Sequence, residues 1–297
     1  MTAATGIWPP AATPFREDLS IDMERYVAFC HELLRDGAHG LAVLGTTSET
    51  NSLDLDERKA VLEKLVNSGI NPAQLIPGTG AASFGDAVKL TKHAADLGVK
   101  GSLLLPPFYY KGVADEGLFD FVSEVVSRVN SKRLRLYLYN FPQQTGLIWS
   151  PELIAKLRGA FPETVVGIKD SSGDAKYLNT LLEKFPGFAI FPSSESLMVD
   201  ALGKGAAGCV SATANTHVKA IRALYDGWKS KDAGAMNQRA SAIRALIASF
   251  PLIAAVKATL AEQHKHRGWQ RLRPPLTPLD DKQTAELREK LAAVEAV

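Results

Sequence analysis

The sequence predicts a closed (β/α)₈ barrel with a C-terminal helical extension. Eight short apolar runs, typical of buried parallel strands, alternate with amphipathic helical patterns along most of the chain. Beyond residue 230 the pattern is helical only, which indicates an extension packed on the barrel. The predicted strands span residues 7–12, 40–44, 75–77, 101–105, 134–139, 165–168, 188–191 and 205–210.

The helices between the strands are predicted from apolar spacing and from end signals. Tyr26, Phe29 and Leu33 keep the spacing of one helix face. Ser150 precedes Pro151, a residue favoured in the first turn of a helix. After the barrel, helices are predicted near 231–247, 251–265 and 280–294, so the chain divides into a barrel, residues 1–228, and an extension, residues 229–297.

A doubly wound sheet is the alternative to the barrel. Such a sheet carries a glycine-rich phosphate loop directly after its first strand. Here the first predicted strand runs into Thr13, Pro14 and Phe15, which disfavours that fold.

Composition and charge argue against several classes of partner. The formal net charge is only +2 and no basic cluster stands out, so we expect no nucleic acid partner. Cys30 and Cys209 both lie in apolar surroundings and indicate core thiols. No apolar run reaches the length of a membrane span and no signal-peptide pattern opens the chain, so we expect no membrane partner and a cytoplasmic location.

Lys169 is the most informative single residue. It stands at the carboxyl end of the predicted strand 165–168, just before a polar turn. In a barrel of this kind such a side chain projects into the active-site mouth, where burial disfavours the ammonium form of a lysine. A neutral amine can attack a ketone and form a Schiff base. From this segment alone, a surface lysine at a strand end is an equal alternative.

Metal and cofactor chemistry are both disfavoured. None of the six histidines shares a strand end with a carboxylate in a ligand-like pair, which argues against a metal-dependent aldolase. Pyridoxal phosphate would also use a lysine, but no phosphate cup and no acidic partner for its pyridine nitrogen is evident. We therefore expect neither a metal nor a cofactor.

Polar motifs, rich in hydroxyl groups, follow five of the predicted strands. They are Gly45-Thr46-Thr47-Ser48-Glu49, Pro107-Phe108-Tyr109-Tyr110, Tyr139-Asn140-Phe141-Pro142, Gly167-Ile168-Lys169-Asp170 and Ser211-Ala212-Thr213-Ala214-Asn215. In this order they resemble the motifs of the dihydrodipicolinate synthase / N-acetylneuraminate lyase family of class I, Schiff-base aldolases. The resemblance runs from about Gly6 to Pro278.

The resemblance implies roles for several residues. Lys169 would condense with the ketone of pyruvate or of a longer 2-oxo acid. Tyr139 would relay protons with the hydroxyl of Thr46, although a core tyrosine is the commoner case in general. Thr47 would help to bind the carboxylate, and the backbone carbonyl of Val210 would face the bound keto acid.

The resemblance also implies a homo-oligomer, a dimer or a tetramer. Members of the family lend an aromatic side chain to the active site of a neighbouring subunit. Tyr109 matches that residue, and the adjacent Tyr110 is the other candidate because the loop differs in length.

One position departs from the synthase pattern. Synthases of the family carry an arginine five residues after the tyrosine, where it binds the carboxylate of aspartate semialdehyde, and this chain has Gln144. An amide offers no charged, bidentate fork. Ser171, Ser193 and Glu195 could instead bind a hydroxylated chain, although Glu195 could simply cap the following helix.

We therefore expect an aldolase or dehydratase that acts on a 2-oxo-3-deoxy sugar acid or a related hydroxylated 2-oxo acid. A dihydrodipicolinate synthase that condenses pyruvate with aspartate semialdehyde is the alternative. A ligand-binding barrel without turnover is a third reading, which the joint presence of the lysine, the tyrosine and the threonines disfavours.

Overall fold

Six parallel strands form the framework of the computed structural model, which describes residues 3–296. Strands β2, β3, β4 and β5 form one sheet in sequence order, and β1 pairs with β6. The strands are β1 Gly6–Ile7, β2 Ser102–Leu104, β3 Leu136–Asn140, β4 Val165–Asp170, β5 Ala189–Pro192 and β6 Gly208–Cys209.

Backbone hydrogen bonds join these two sheets into a closed barrel. Segments 41–43 and 75–79 fill the gap between β1 and β2, and the residues on either side of β6 donate backbone hydrogen bonds to β5. The joining bonds run from the N–H of Ala42 to the oxygen of Pro9 (2.9 Å), from Ile76 to Leu41 (2.9 Å), from Thr79 to Leu103 (2.9 Å) and from Val210 to Pro192 (3.1 Å). The predicted (β/α)₈ barrel is confirmed.

The first three strands are less regular than the sequence predicts. Regular pairing of β1 ends at Ile7, whereas the prediction runs on to residue 12. Pro9 and Pro10 lack a backbone N–H and cannot donate to a ladder. Segments 41–43 and 75–79 make isolated bridges only, at Leu41 and at Gly78, next to Pro77, which also has no donor.

Helices surround the barrel and form the extension. The three helices predicted after residue 230 are confirmed within two residues at each end, while the exact boundary after residue 228 stays a prediction. The helices are α1 Met23–Arg35, α2 Leu55–Asn67, α3 Phe84–Asp96, α4 Asp115–Val129, α5 Pro142–Thr145, α6 Pro151–Ala160, α7 Ala175–Lys184, α8 Met198–Gly203, α9 Ala214–Asp226, α10 Ala233–Ala248, α11 Leu252–Gln263 and α12 Asp281–Glu295.

Within residues 3–296 no single helix has the length and hydropathy needed to cross a membrane. Helices α10 and α11 meet both criteria only when they are counted together across a 111° bend.

Side chains from the strands fill the lower barrel and thereby support the site above it. The ring of Tyr137 is buried in a hydrophobic cluster of these side chains, and its hydroxyl accepts the N–H of Ala4 at 2.8 Å. Gly167 on β4 makes room for that ring, since a Cβ there would lie 2.5 Å from it and 2.5 Å from the carbonyl oxygen of Ala189. This contact explains why a glycine stands two residues before Lys169.

Candidate active site

A cavity of about 380 Å³ opens at the carboxyl ends of the strands. Strand-end residues supply one wall, and the C-terminal extension supplies the other. The polar and charged lining residues are Thr46, Thr47, Tyr139, Gln144, Lys169, Ser171, Ser193, Arg244 and Thr277. No aspartate or glutamate is among the lining residues of the described chain, so the cavity suits anionic ligands.

Lys169 is buried in this cavity, with only 4% of its surface exposed. Strand β4 pairs in parallel with β3 so that Lys169 lies beside Tyr139. The Lys169 Nζ donates a hydrogen bond to the Tyr139 hydroxyl at 3.0 Å and lies 4.2 Å from the centre of its ring. The position of Lys169 in a pocket, predicted from the sequence, agrees with the structure.

Tyr139 links the lysine to the loop after segment 41–43. Its hydroxyl lies 3.2 Å from the hydroxyl oxygen of Thr46. Burial raises the pKa of Tyr139, but the nearby Lys169 ammonium and the hydrogen bonds with Thr46 and Lys169 outweigh it, so the pKa lies below its usual value. The phenol can therefore release a proton more readily than an ordinary tyrosine.

The turn that carries Thr46 and Thr47 has an unusual backbone. Leu44 before it and Glu49 after it both adopt left-handed conformations, with φ of 57° and 56°. Within residues 3–296 no acceptor receives the backbone N–H of Thr46 or of Thr47. Two free N–H groups beside the lysine form a suitable binding site for a carboxylate.

The C-terminal extension holds this turn in place. The Glu49 carboxylate accepts a hydrogen bond from the Lys257 Nζ at 2.6 Å and another from the backbone N–H of Arg273 at 3.0 Å. Both side chains of the Glu49–Lys257 pair are fully buried. Burial lowers the pKa of Lys257 to about 8, and the Glu49 carboxylate opposes that shift.

A second polar cluster fixes the strand ends beside Lys169. The Asp170 carboxylate accepts hydrogen bonds from the side-chain amide of Asn140 at 2.8 Å and from the backbone and hydroxyl of Ser172, both at 3.0 Å. Burial raises the pKa of Asp170, and these hydrogen bonds oppose the shift. The cluster ties β3 to the turn after β4 and so fixes the orientation of Lys169.

The structure brings most of the predicted site residues together. Thr46, Thr47, Tyr139, Gln144, Lys169, Ser171, Ser193 and Val210 all line the cavity. Gln144 is exposed at the rim, on the short helix α5.

Two predicted residues lie elsewhere. Glu195 is fully buried and lines a different cavity, where its Oε1 accepts the hydroxyl hydrogens of Ser211 and Thr213. In this arrangement Glu195 does not meet a ligand of Lys169. Tyr109 does not line the cavity either, and it is 74% exposed next to Tyr110, which is 68% exposed.

The sequence reading missed the contribution of the extension. Arg244, Pro251 and Leu252 line the cavity although none follows a strand. The helical pattern gave no hint of this, because Arg244 resembles any other charged residue on an exposed helix. The only available signal was that Arg244 falls on the same face as the apolar Ala240 and Ile247.

This arrangement can carry out amine chemistry on a carbonyl compound. A buried lysine lies next to a tyrosine whose pKa is below its usual value, and free N–H groups lie nearby. Nucleophilic attack by the amine needs such a proton relay to convert a ketone into an iminium.

Comparisons with known proteins agree with this chemistry. The profile of the dihydrodipicolinate synthetase family matches residues 3–294. An uncharacterized DapA-like lyase of Chloroflexus aurantiacus is 32% identical over 296 residues, covering 97% of this chain and 96% of the relative. A 4-hydroxy-tetrahydrodipicolinate synthase of Thermus thermophilus is 35% identical over 222 residues, covering 74% of this chain and 73% of the relative.

A solved structure shares the whole fold. The crystal structure of a dihydrodipicolinate synthase from Agrobacterium tumefaciens superposes with a TM-score of 0.92 at 29% identity, covering 98% of this chain and 99% of that one. The chain thus belongs to the dihydrodipicolinate synthetase family, whose members are lyases of the class I, Schiff-base type.

Proposed function

We propose that this lyase acts on a hydroxylated 2-oxo acid, such as a 2-oxo-3-deoxy sugar acid, through a Schiff base on Lys169. The observation that carries the proposal is the hydrogen bond between the Lys169 Nζ and the Tyr139 hydroxyl, inside a cavity that no aspartate or glutamate of residues 3–296 lines.

The first half of the reaction forms an iminium. After Lys169 has given up a proton, its amine attacks C2 of the substrate, and the former carbonyl oxygen takes up protons and leaves as water. Tyr139 is within reach of the nitrogen, and Thr46 extends the proton path by one hydroxyl. The substrate carboxylate occupies the free N–H groups at Thr46 and Thr47, and the carbonyl of Val210 faces the reacting carbon.

The second half uses the iminium as an electron sink. In an aldol cleavage the electrons of the C3–C4 bond flow into the iminium, while Tyr139 accepts the proton of the C4 hydroxyl as it becomes an aldehyde. In a dehydration C3 loses a proton and C4 loses its hydroxyl as water. After cleavage C3 of the enamine takes up a proton, and in both reactions water then hydrolyses the iminium, which releases the product from Lys169.

The polar lining favours a hydroxylated substrate over aspartate semialdehyde. Gln144, Ser171 and Ser193 provide neutral hydrogen-bonding groups. Aspartate semialdehyde carries an ammonium group, and the lining residues of the described chain include two cations and no acidic partner for it.

Dihydrodipicolinate synthesis from pyruvate and aspartate semialdehyde is the second candidate. It is favoured by the Thermus thermophilus relative, whose name is that of such a synthase. The sequence of the present chain departs from that function at Gln144.

A substrate panel tests the proposal. Purified protein is incubated with 2-oxo-3-deoxy sugar acids of different stereochemistry, and with pyruvate plus aspartate semialdehyde. We expect kcat/KM for at least one hydroxylated acid to exceed that for the condensation, and Lys169→Ala to abolish turnover. Efficient condensation with no turnover of any hydroxylated acid would reject the proposal in favour of the synthase.

We also propose a cytoplasmic homo-oligomer, a dimer or a tetramer. Tyr109 and Tyr110 support an interface, because they are the two most exposed large apolar side chains of residues 3–296. The centroids of their rings lie 5.5 Å apart, so the two side chains form one exposed aromatic patch. The neighbouring subunit would receive one of the two tyrosines at its own cavity.

A further inference from the structure

Arg244 occupies an unusual position on helix α10. The buried face of this helix includes Ala240, Ile243 and Ile247, and Arg244 lies on that same face because it is three or four residues from two of them. A guanidinium on a buried helix face is costly unless it has a partner.

No such partner exists among residues 3–296. Within the described part of the chain, the Nη1 atom of Arg244 is buried without any hydrogen bond, and no ion pair joins the guanidinium to a carboxylate. The nearest comparable case on the helix, Arg239, does bond to the backbone oxygen of Glu295. A ligand bound in the cavity that Arg244 lines could provide the missing partner for its guanidinium.

The charges of the cavity indicate what that ligand carries. Among residues 3–296, Lys169 and Arg244 are its two cationic lining residues, and no aspartate or glutamate lines it. The first carboxylate of a 2-oxo acid has its own binding groups at Thr46 and Thr47. A single guanidinium then matches one further carboxylate, whereas a phosphate monoester would bring a charge of about −1.5 to −2 with only one cation to meet it.

We propose that Arg244 binds a second carboxylate at the far end of the substrate, so that the site takes 2-oxo dicarboxylic acids. This rests on the proposed function, in that the first carboxylate and the ketone lie at Thr47 and Lys169.

A structural role is the competing explanation. Glu195 has a buried oxygen, Oε2, that also lacks a hydrogen-bond partner within the described chain. Arg244 would then serve only to balance the charge of Glu195. That role predicts no preference for a ligand with two carboxylates.

Calorimetry with a matched pair of acids separates these explanations. 2-Oxoglutarate and 2-oxovalerate have the same carbon chain and differ in a terminal carboxylate against a methyl group. We expect the wild type to bind 2-oxoglutarate about tenfold to a hundredfold more tightly, since a charge-assisted hydrogen bond supplies such a factor. Arg244→Met should abolish the preference, and Arg244→Lys should keep part of it.

The controls keep the outcomes distinct. Arg239→Met, on the same helix, should leave the preference intact. Borohydride trapping of pyruvate on each variant reports separately on Schiff-base formation and on correct folding. If the wild type forms no pyruvate adduct, the proposed function is rejected, and the calorimetry still reports on the role of Arg244. Equal affinities for the two acids in the wild type, or a preference that survives Arg244→Met, would overturn the role of Arg244.

Discussion

Replacing Tyr139 with phenylalanine separates the chemical role of this residue from its packing role. The change removes one hydroxyl and keeps the ring, which is 97% buried and stacked with Phe141 at 6.0 Å between centroids. The lost hydroxyl contacts the Lys169 Nζ at 3.0 Å and Thr46 at 3.2 Å. Lys169 and Thr46 each lose a hydrogen bond, which should lower the free energy of unfolding by about 1–3 kcal/mol.

The effect on rate should be larger than the effect on stability. A positioned proton relay contributes roughly 10²–10⁴-fold, or about 2.7–5.5 kcal/mol in the barrier. Because carboxylate binding groups remain at Thr47, we expect kcat to fall by at least a hundredfold while KM changes little. Steady-state kinetics on the best substrate of the panel measures both constants.

Tyr137→Phe is the matched control. Tyr137 lies two residues earlier on β3 and is similarly buried, but its hydroxyl makes one hydrogen bond, from the N–H of Ala4, where that of Tyr139 makes two. It does not line the cavity. Thermal unfolding should therefore show a loss of stability for both variants, no larger for Tyr137→Phe than for Tyr139→Phe, with turnover retained only by Tyr137→Phe. A fall of less than tenfold in Tyr139→Phe, or an equal fall in both, would refute the proton-relay argument.

Three further predictions concern the support of the site, its specificity and its assembly. Lys257→Met leaves the Glu49 carboxylate buried without its partner, so urea unfolding should show a loss of about 3–5 kcal/mol, partly restored by adding Glu49→Gln. The pKa of Lys257 is about 8 in the folded protein, against 10.5 for an ordinary lysine. Between pH 8 and pH 10.5 this side chain is therefore protonated in the unfolded chain and largely deprotonated in the folded one. The stability gap between wild type and Lys257→Met should therefore widen from pH 8 to pH 10.5, and a gap that narrows would contradict the assignment. Gln144→Arg should raise kcat/KM for pyruvate plus aspartate semialdehyde, and an unchanged value would remove this position from the specificity argument. Tyr109→Ala with Tyr110→Ala should shift the mass measured by light scattering toward the monomer and lower activity, whereas a fully active wild-type monomer would contradict the proposed interface.

The sequence predicted those parts of the molecule that local patterns determine. Apolar runs and strand-end polar residues were enough to predict the barrel. They also indicated that Lys169, Tyr139 and Thr46 lie together, and all three line one cavity. These residues follow strands directly, and the carboxyl ends of barrel strands meet at one face.

The sequence could not predict what depends on contacts between distant segments. Glu195 stands at a strand end like Ser193, but its carboxylate turns away to accept bonds from Ser211 and Thr213. Arg244 lies far along the chain from any strand, and only the packing of the extension brings it to the cavity. The direction of a side chain and the docking of a helix are tertiary properties with no local signature.

Mapping the covalent adduct tests most directly whether Lys169 forms the Schiff base. The protein is incubated with pyruvate and borohydride, digested with protease, and analysed by tandem mass spectrometry. We expect a single reduced pyruvyl group on Lys169, its complete absence in Lys169→Ala, and its persistence in Lys176→Ala, a control at an exposed lysine on the adjoining helix. A pyruvyl group on another lysine, or an adduct that remains in Lys169→Ala, would contradict this role of Lys169.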